Sequence, residues 1–195
     1  MLINKKVAII GSGATAVTIL PNIADKTEHV TMIQRTPTYI GAKPEIDPIS
    51  NFFNTWLPVS LATRINRFKA VMLGWILFHY CMLFPNHAKK RVKGMMYDQV
   101  KSVMSESEFD KHFTPPYNPW QQRFCLAPGG DFFKPIRERK ASIVTGHIDH
   151  FTKNGIQMKN GEFVQADMII CSTGLTLQKN MPFSTIEVSY TFSDI

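Results

Sequence analysis

The feature that most constrains this chain is a short apolar run that stops on a glycine turn. Val7-Ala8-Ile9-Ile10 leads directly into Gly11-Ser12-Gly13-Ala14-Thr15-Ala16, a G-x-G-x-x-A pattern. A continuous apolar run of this length reads as a strand buried on both faces, as in a parallel sheet. From Ala14 to Asp25 the spacing becomes helical, with Val17, Leu20 and Ala24 on one face. Pro21 falls inside that helix, removes one backbone donor and is expected to kink it. His29 to Gln34 is rich in β-branched residues and predicts a second strand. Strand, turn, helix and strand in about 30 residues make one βαβ unit.

In such a unit each small residue has a physical task. Gly11 permits the tight turn, Gly13 lets the backbone approach a pyrophosphate, and Ala16 lets the helix sit close to the strand. The helix start adds free N–H groups and a positive partial charge. Gly11, Ser12, Gly13, Ala14 and Thr15 are therefore candidate cofactor-binding residues. The plain alternative is a glycine turn without a ligand. The end of the second strand selects the cofactor. A site for NAD places an acid there to bind the ribose 2′-hydroxyl. Here the strand ends at Arg35-Thr36, and Glu28 stands at the opposite end. A guanidinium and a hydroxyl suit a 2′-phosphate, so the expectation is NADP(H), held in part by Arg35 and Thr36. An arginine on an exposed loop is the alternative.

Thr36 to Pro58 carries prolines at 37, 44, 48 and 58 and is expected to be loop. Helical spacing then runs from about Leu61 to about Phe109. Its centre, 70–84, is apolar nearly all round but shorter than the roughly 20 residues that cross a bilayer. A buried or partly interfacial helix is expected. Basic residues stand on both sides: Arg64, Arg67 and Lys69 before, Lys89, Lys90, Arg91 and Lys93 after. They leave a peripheral membrane contact through 64–93 as an alternative. Thr114 to Trp120, with three prolines, is expected to be rigid and extended. Asp131 can cap a short helix reaching about Lys140. Ala141 to Thr145 reads as a strand, and Asn154-Gly155 and Asn160-Gly161 mark the turns of a β-meander. Asp167 to Cys171 is expected to be a last buried strand, ending at Ser172-Thr173-Gly174. The expected division is 1–40 and 128–178 as two parts of one nucleotide-binding domain, 41–127 as a largely helical insertion, and 179–195 as a tail.

Lysine and arginine number 22 against 15 acidic residues, a net charge of +7. This favours an anionic partner. No base-reading module is visible, so nucleic acid is not expected. Three scattered cysteines point to a reducing compartment, and the N-terminus lacks a signal-peptide pattern; the expectation is cytoplasmic, with membrane association open. Other residues read as structural. His147-Ile148-Asp149-His150 lacks a third ligand, so no metal is expected. His79 reads as a core histidine, Cys171 as an inert buried thiol, and Met72, Met82, Met95 and Met96 as packing.

Taken together, these motifs resemble the NADPH-binding domain of flavin-containing monooxygenases of the Baeyer–Villiger type. Val7 to Thr18 resembles the family's second nucleotide-binding turn, and Thr31 to Tyr39 its 2′-phosphate-binding strand end. Tyr117-Asn118-Pro119-Trp120-Gln121-Gln122-Arg123-Phe124-Cys125 is similar to a subgroup marker. Cys171-Ser172-Thr173-Gly174-Leu175 is similar to the linker that returns the chain to the FAD domain. The resemblance implies an α/β fold: a Rossmann-like, three-layer NAD(P)-binding domain with a mainly parallel sheet, a β-meander and a helical insertion. It implies NADPH and FAD as cofactors and a ketone or soft-heteroatom compound as substrate, with oxygen activated on the reduced flavin. It also implies Arg123 as the catalytic arginine near the flavin, and Thr173 and Gly174 as cofactor-binding residues.

The departures from the family pattern are as informative. The family's first, FAD-binding glycine turn and its phenylalanine-glycine-histidine-tryptophan fingerprint do not occur here, nor do its segments beyond about Gln178. Gln121 replaces an aspartate and Ser172 an alanine. The expectation is a fragment that holds one dinucleotide in the Rossmann manner. A non-catalytic NADP(H)-binding protein and a membrane-surface protein remain alternatives.

Overall fold

The computed structural model describes residues 2–122 and 124–174, with Lys43 described by its backbone alone. Arg123, Leu175 and the 179–195 tail lie outside the described residues. The apolar run forms strand β1 (Lys6–Ile10), and the glycine turn leads into helix α1 (Ala14–Ala24). Strand β2 (His29–Gln34) returns beside β1 in parallel register, Ile9 opposite Met32. The chain then makes a short strand β3 (Tyr39–Lys43) and helices α2 (Pro48–Trp56), α3 (Val59–Leu83), α4 (Pro85–Val100) and α5 (Glu106–Phe113). Strand β4 (Phe124–Pro128) pairs in parallel with β3. A short helix α6 (Phe133–Arg137) precedes strand β5 (Ala141–Thr145). The antiparallel meander β6 (Ile148–Thr152), β7 (Gly155–Met158) and β8 (Phe163–Gln165) follows, then β9 (Met168–Cys171).

The main sheet has the order β5-β2-β1-β9 and every pair in it is parallel. Both faces are covered because alternate residues of β1 serve different layers. Ile9 joins Leu20, Val30, Met32, Phe109 and Phe133 on the helical side. Ala8 joins Ile33, Val144, Ile156, Met158 and Val164 under the meander. Helix, parallel sheet and meander are thus three layers, as the resemblance implied. Gly155 starts β7 at φ 157°, and a Cβ there would collide with the Val164 carbonyl of β8. The meander closes at that point only because the residue is glycine.

Several expectations are corrected. Residues 36–58 contain β3 and α2. Tyr39 stacks on Phe124 at 6.1 Å, and its hydroxyl donates to the Tyr117 carbonyl at 2.6 Å. Asp47 caps α2, accepting from Ile49 and Ser50 N–H, and Pro48 sits in the first turn, where its missing donor costs nothing. The helical stretch is broken at Phe84-Pro85 and again after Val100. Thr114 to Trp120 forms bends and turns, with Trp120 at φ 74°. Phe132, not Asp131, stands at the N-cap of α6; Asp131 accepts from Phe132 N–H just before it.

The larger correction concerns α3. It buries only Ala62 and Cys81, because among the described residues α2 and α4 touch it locally and no element covers its middle. His79 is half-exposed, bonded to the Trp75 carbonyl one turn back and tilted against the Trp75 ring at 4.0 Å. Met82 and Met95 are exposed, and only Met96 of that set is buried in the core. Cys171 is exposed as well, at the end of β9, one of the two edge strands of the main sheet among the described residues.

Candidate nucleotide-binding site

From β1 the chain passes to β2 and β5 on one side, and β9 later fills the other side of β1. The order reverses between β1 and β9, and ligands of such sheets bind outside the strand ends at that switch point. A cleft of about 620 Å³ lies there, lined by residues at the C-terminal ends of β1, β2, β5 and β9. Of the expected residues, Gly11, Ser12, Arg35, Thr36 and Thr173 line it. Gly13, Ala14, Thr15 and Gly174 adjoin the lining in sequence but do not line it.

The turn is held from several sides. Gly11 has φ 124°, a conformation that L side chains rarely adopt, and its N–H donates to the Ile33 carbonyl at 2.8 Å. A Cβ on Gly11 would stand 2.8 Å from the Ser172 carbonyl carbon, so Ser172, just past β9, can lie against this turn only because residue 11 is glycine. The buried Ser12 hydroxyl lies 3.2 Å from the Thr36 carbonyl and 3.1 Å from the Thr38 hydroxyl. Ser12 thereby ties the glycine turn to the loop after β2 and sets where Arg35 and Thr36 stand. Gly13 has φ −81°, open to any residue, so backbone strain does not explain its being glycine. It caps α1 without a side-chain bond, and no acid occupies the first turn. The N–H groups of that turn lack intrahelical acceptors and carry the positive end of the helix dipole.

The charge in the cleft is one-sided. No carboxylate lines it among the described residues, whereas Arg35 does, exposed and without an ion pair among those residues. Ser172 donates its N–H to the Ile10 carbonyl at 2.8 Å, while its buried hydroxyl has no hydrogen-bond partner among the described residues. An orphaned hydroxyl, an unpaired guanidinium and an uncapped helix start fit a phosphate-bearing dinucleotide.

Four polar lining residues, Tyr117, Gln122, His147 and Ser172, belong to motifs noted in the sequence but were not expected to bind the cofactor. His147 follows β5 at a strand end facing the switch point, and that position was a usable signal; the H-x-x-H pattern drew attention to metals instead. His150 pairs with Asp149 and does not line the cleft. Tyr117 donates to the Pro37 carbonyl at 3.2 Å and receives the Tyr39 hydroxyl on its own carbonyl. Burial, and next to it Tyr117, push the Tyr39 phenol up to about 12, so it remains a neutral donor. Beside the cleft, Gln34 donates to the His112 carbonyl at 2.6 Å and to the Thr145 hydroxyl at 2.9 Å. The His112 ring also meets Thr145, which fastens α5 to the sheet. Burial holds the His112 imidazole below its ordinary value, with Lys111 adding to the effect.

The parallel sheet, the glycine turn and the cleft at the switch point define a Rossmann-type nucleotide-binding domain. No protein-family model matches the chain. It is 45% identical over 175 residues to the FAD-containing monooxygenase EthA of Mycolicibacterium smegmatis, which covers 89% of this chain and 35% of that protein. It is 40% identical over 177 residues to the probable FAD-binding monooxygenase AlmA of Acinetobacter baylyi, covering 90% of this chain and 35% of that protein. The chain spans about a third of the length of these relatives. Solved Baeyer–Villiger enzymes share the fold. A steroid monooxygenase bound to NADP superimposes with a TM-score of 0.57 at 16% identity, over 89% of this chain and 39% of that one. OTEMO in complex with FAD and NADP gives 0.59 at 16% identity, with the same coverage.

Proposed function

We propose that this chain is the NADPH-binding part of an FAD-dependent monooxygenase that oxygenates small organic molecules, by Baeyer–Villiger insertion or at a soft heteroatom. The observation that carries the reading is Arg35, which lines the cleft at the switch point and has neither an ion pair nor a carboxylate beside it in the lining among the described residues. The helix start at Gly13 to Thr15 receives the pyrophosphate, and Gly13 keeps that approach open. Arg35 and Thr36 hold the 2′-phosphate by a charge-assisted pair and a hydroxyl bond. The Ser12 hydroxyl, bonded to the Thr36 carbonyl and the Thr38 hydroxyl, holds the loop after β2 so that Arg35 faces the ribose. Ser172, Thr173 and Gly174 border the cleft from the β9 side. NADPH supplies the hydride when bound. Arg123, placed by family resemblance, is the residue we assign to the reacting end. FAD is assigned on the names of the relatives; a second G-x-G-x-x-A turn does not occur among the described residues.

Titration of the chain with NADPH and with NADH tests the reading. NADPH is expected to bind at least about tenfold more tightly, the scale of one charge-assisted contact. Equal affinities, or binding of neither, would overturn it. A second reading concerns α3, whose exposure favours a peripheral membrane contact through 64–93.

A further inference from the structure

We propose that the middle of α3 is immersed in one leaflet of an anionic membrane, held there by basic residues on α3 and α4; this rests on 64–93 being membrane-facing. Phe68, Leu73, Trp75, Ile76, Met82 and Leu83 are each more than half exposed. At 3.6 residues per turn, and with Val71, Leu77 and Phe78 also exposed, they spread around roughly 260° of the helix. A protein partner would cover one side of such a rod and leave the others in water. Acyl chains cover all of them, and a bare apolar surface of this size is not a normal feature of a water-exposed face.

Charge selects the kind of membrane. Between Asp47 and Asp98 the chain has no acidic residue and seven lysines and arginines. Lys69 and Lys93 are paired with Asp47 and Asp110, and Lys89 donates to the Pro115 carbonyl. Arg64, Arg67, Lys90 and Arg91 make no ion pair or hydrogen bond among the described residues. They flank the apolar middle on either side, where an inserted helix would meet headgroups. The depth is limited. Fifteen residues, 70–84, rise about 22 Å at 1.5 Å each, short of the roughly 30 Å hydrocarbon core. No single helix among the described residues is long and apolar enough to cross a membrane, and α3 meets α4 at a 116° bend. The helix enters and stops.

The test is co-sedimentation of the chain with vesicles of phosphatidylcholine alone and of phosphatidylcholine mixed with phosphatidylglycerol, read together with tryptophan emission. Binding to the mixed vesicles that salt weakens is expected, with a blue shift from Trp75. Arg64→Gln with Arg67→Gln should weaken binding about 25-fold, fivefold per charge. Leu73→Asp with Ile76→Asp should weaken it at least about tenfold and remove the shift. All four positions lie away from the cofactor cleft, so NADPH binding reports that the variants are folded. Equal binding to both vesicle types, unmoved by the arginine changes, overturns the anionic selection but leaves the membrane contact standing. Binding to neither, with the chain self-associating through α3 or remaining monomeric, overturns both.

Discussion

Replacing Gly11 with alanine probes the joint on which both fold and cleft depend. Two costs add. The backbone at φ 124° is open to glycine and costs any other residue about 1–3 kcal/mol. The new Cβ would sit 2.8 Å from the Ser172 carbonyl carbon, where ordinary contact begins near 3.4 Å. The Ser172 peptide must retreat by at least the difference between those distances. That retreat strains the bond from Ser172 N–H to the Ile10 carbonyl, now 2.8 Å and worth about 1 kcal/mol net. The sum is about 2–4 kcal/mol, which for a chain of this size lowers Tm by about 4–15 °C. The same shift opens the β1–β9 corner of the cleft, so NADPH affinity should fall at least tenfold, by calorimetry, well below the new Tm. The matched control is Gly74→Ala in α3. Nothing lies within 4 Å of a Cβ there, and helix propensity predicts unchanged or higher stability, by up to about 1 kcal/mol. If Gly11→Ala melted within a degree of the unchanged chain and bound NADPH equally, the close approach of β9 to β1 would be wrong.

Two further outcomes follow from the same geometry. Burial first, and a neighbouring lysine second, hold His112 and His29 below the ordinary histidine value of 6.5. The unfolded chain therefore binds more protons than the folded one below about pH 6.5, so their contribution is whole above that pH and lost as pH falls. Thermal melts should show Tm declining from about pH 7.5 to 5.5, with a shallower slope in His112→Gln; a flat or rising Tm would contradict the burial. The aspartates Asp25 and Asp110, held below their ordinary range chiefly by bonds from Lys140 and Lys93, act only at lower pH. In the longer protein, Arg123→Ala should abolish oxygenation while leaving NADPH affinity nearly intact; unchanged turnover would remove Arg123 from the reacting end.

What was legible in the sequence is what local physics determines. Val7 to Ile10, the glycine turn and His29 to Gln34 announce a parallel sheet because their pattern is set by burial on both faces and by one turn geometry. Asn154-Gly155 and Asn160-Gly161 announce the meander for the same kind of reason. The fate of 70–84 was not legible. An apolar helix in a core and an apolar helix without a cover have the same composition, and only packing separates them. The prolines of 36–58 misled because Pro48 at a helix start and Pro44 beyond a strand end look alike in a count. Tyr117 joins the cleft through contacts between distant segments, which no local spacing encodes.

The central claim is that the cleft reads a 2′-phosphate through Arg35. It is tested most directly by measuring NADPH and NADH affinity for the unchanged chain and for Arg35→Ala. One charge-assisted contact predicts that the change weakens NADPH by roughly 10- to 150-fold and leaves NADH nearly unaltered. An equal loss for both cofactors, or no loss for either, would contradict it.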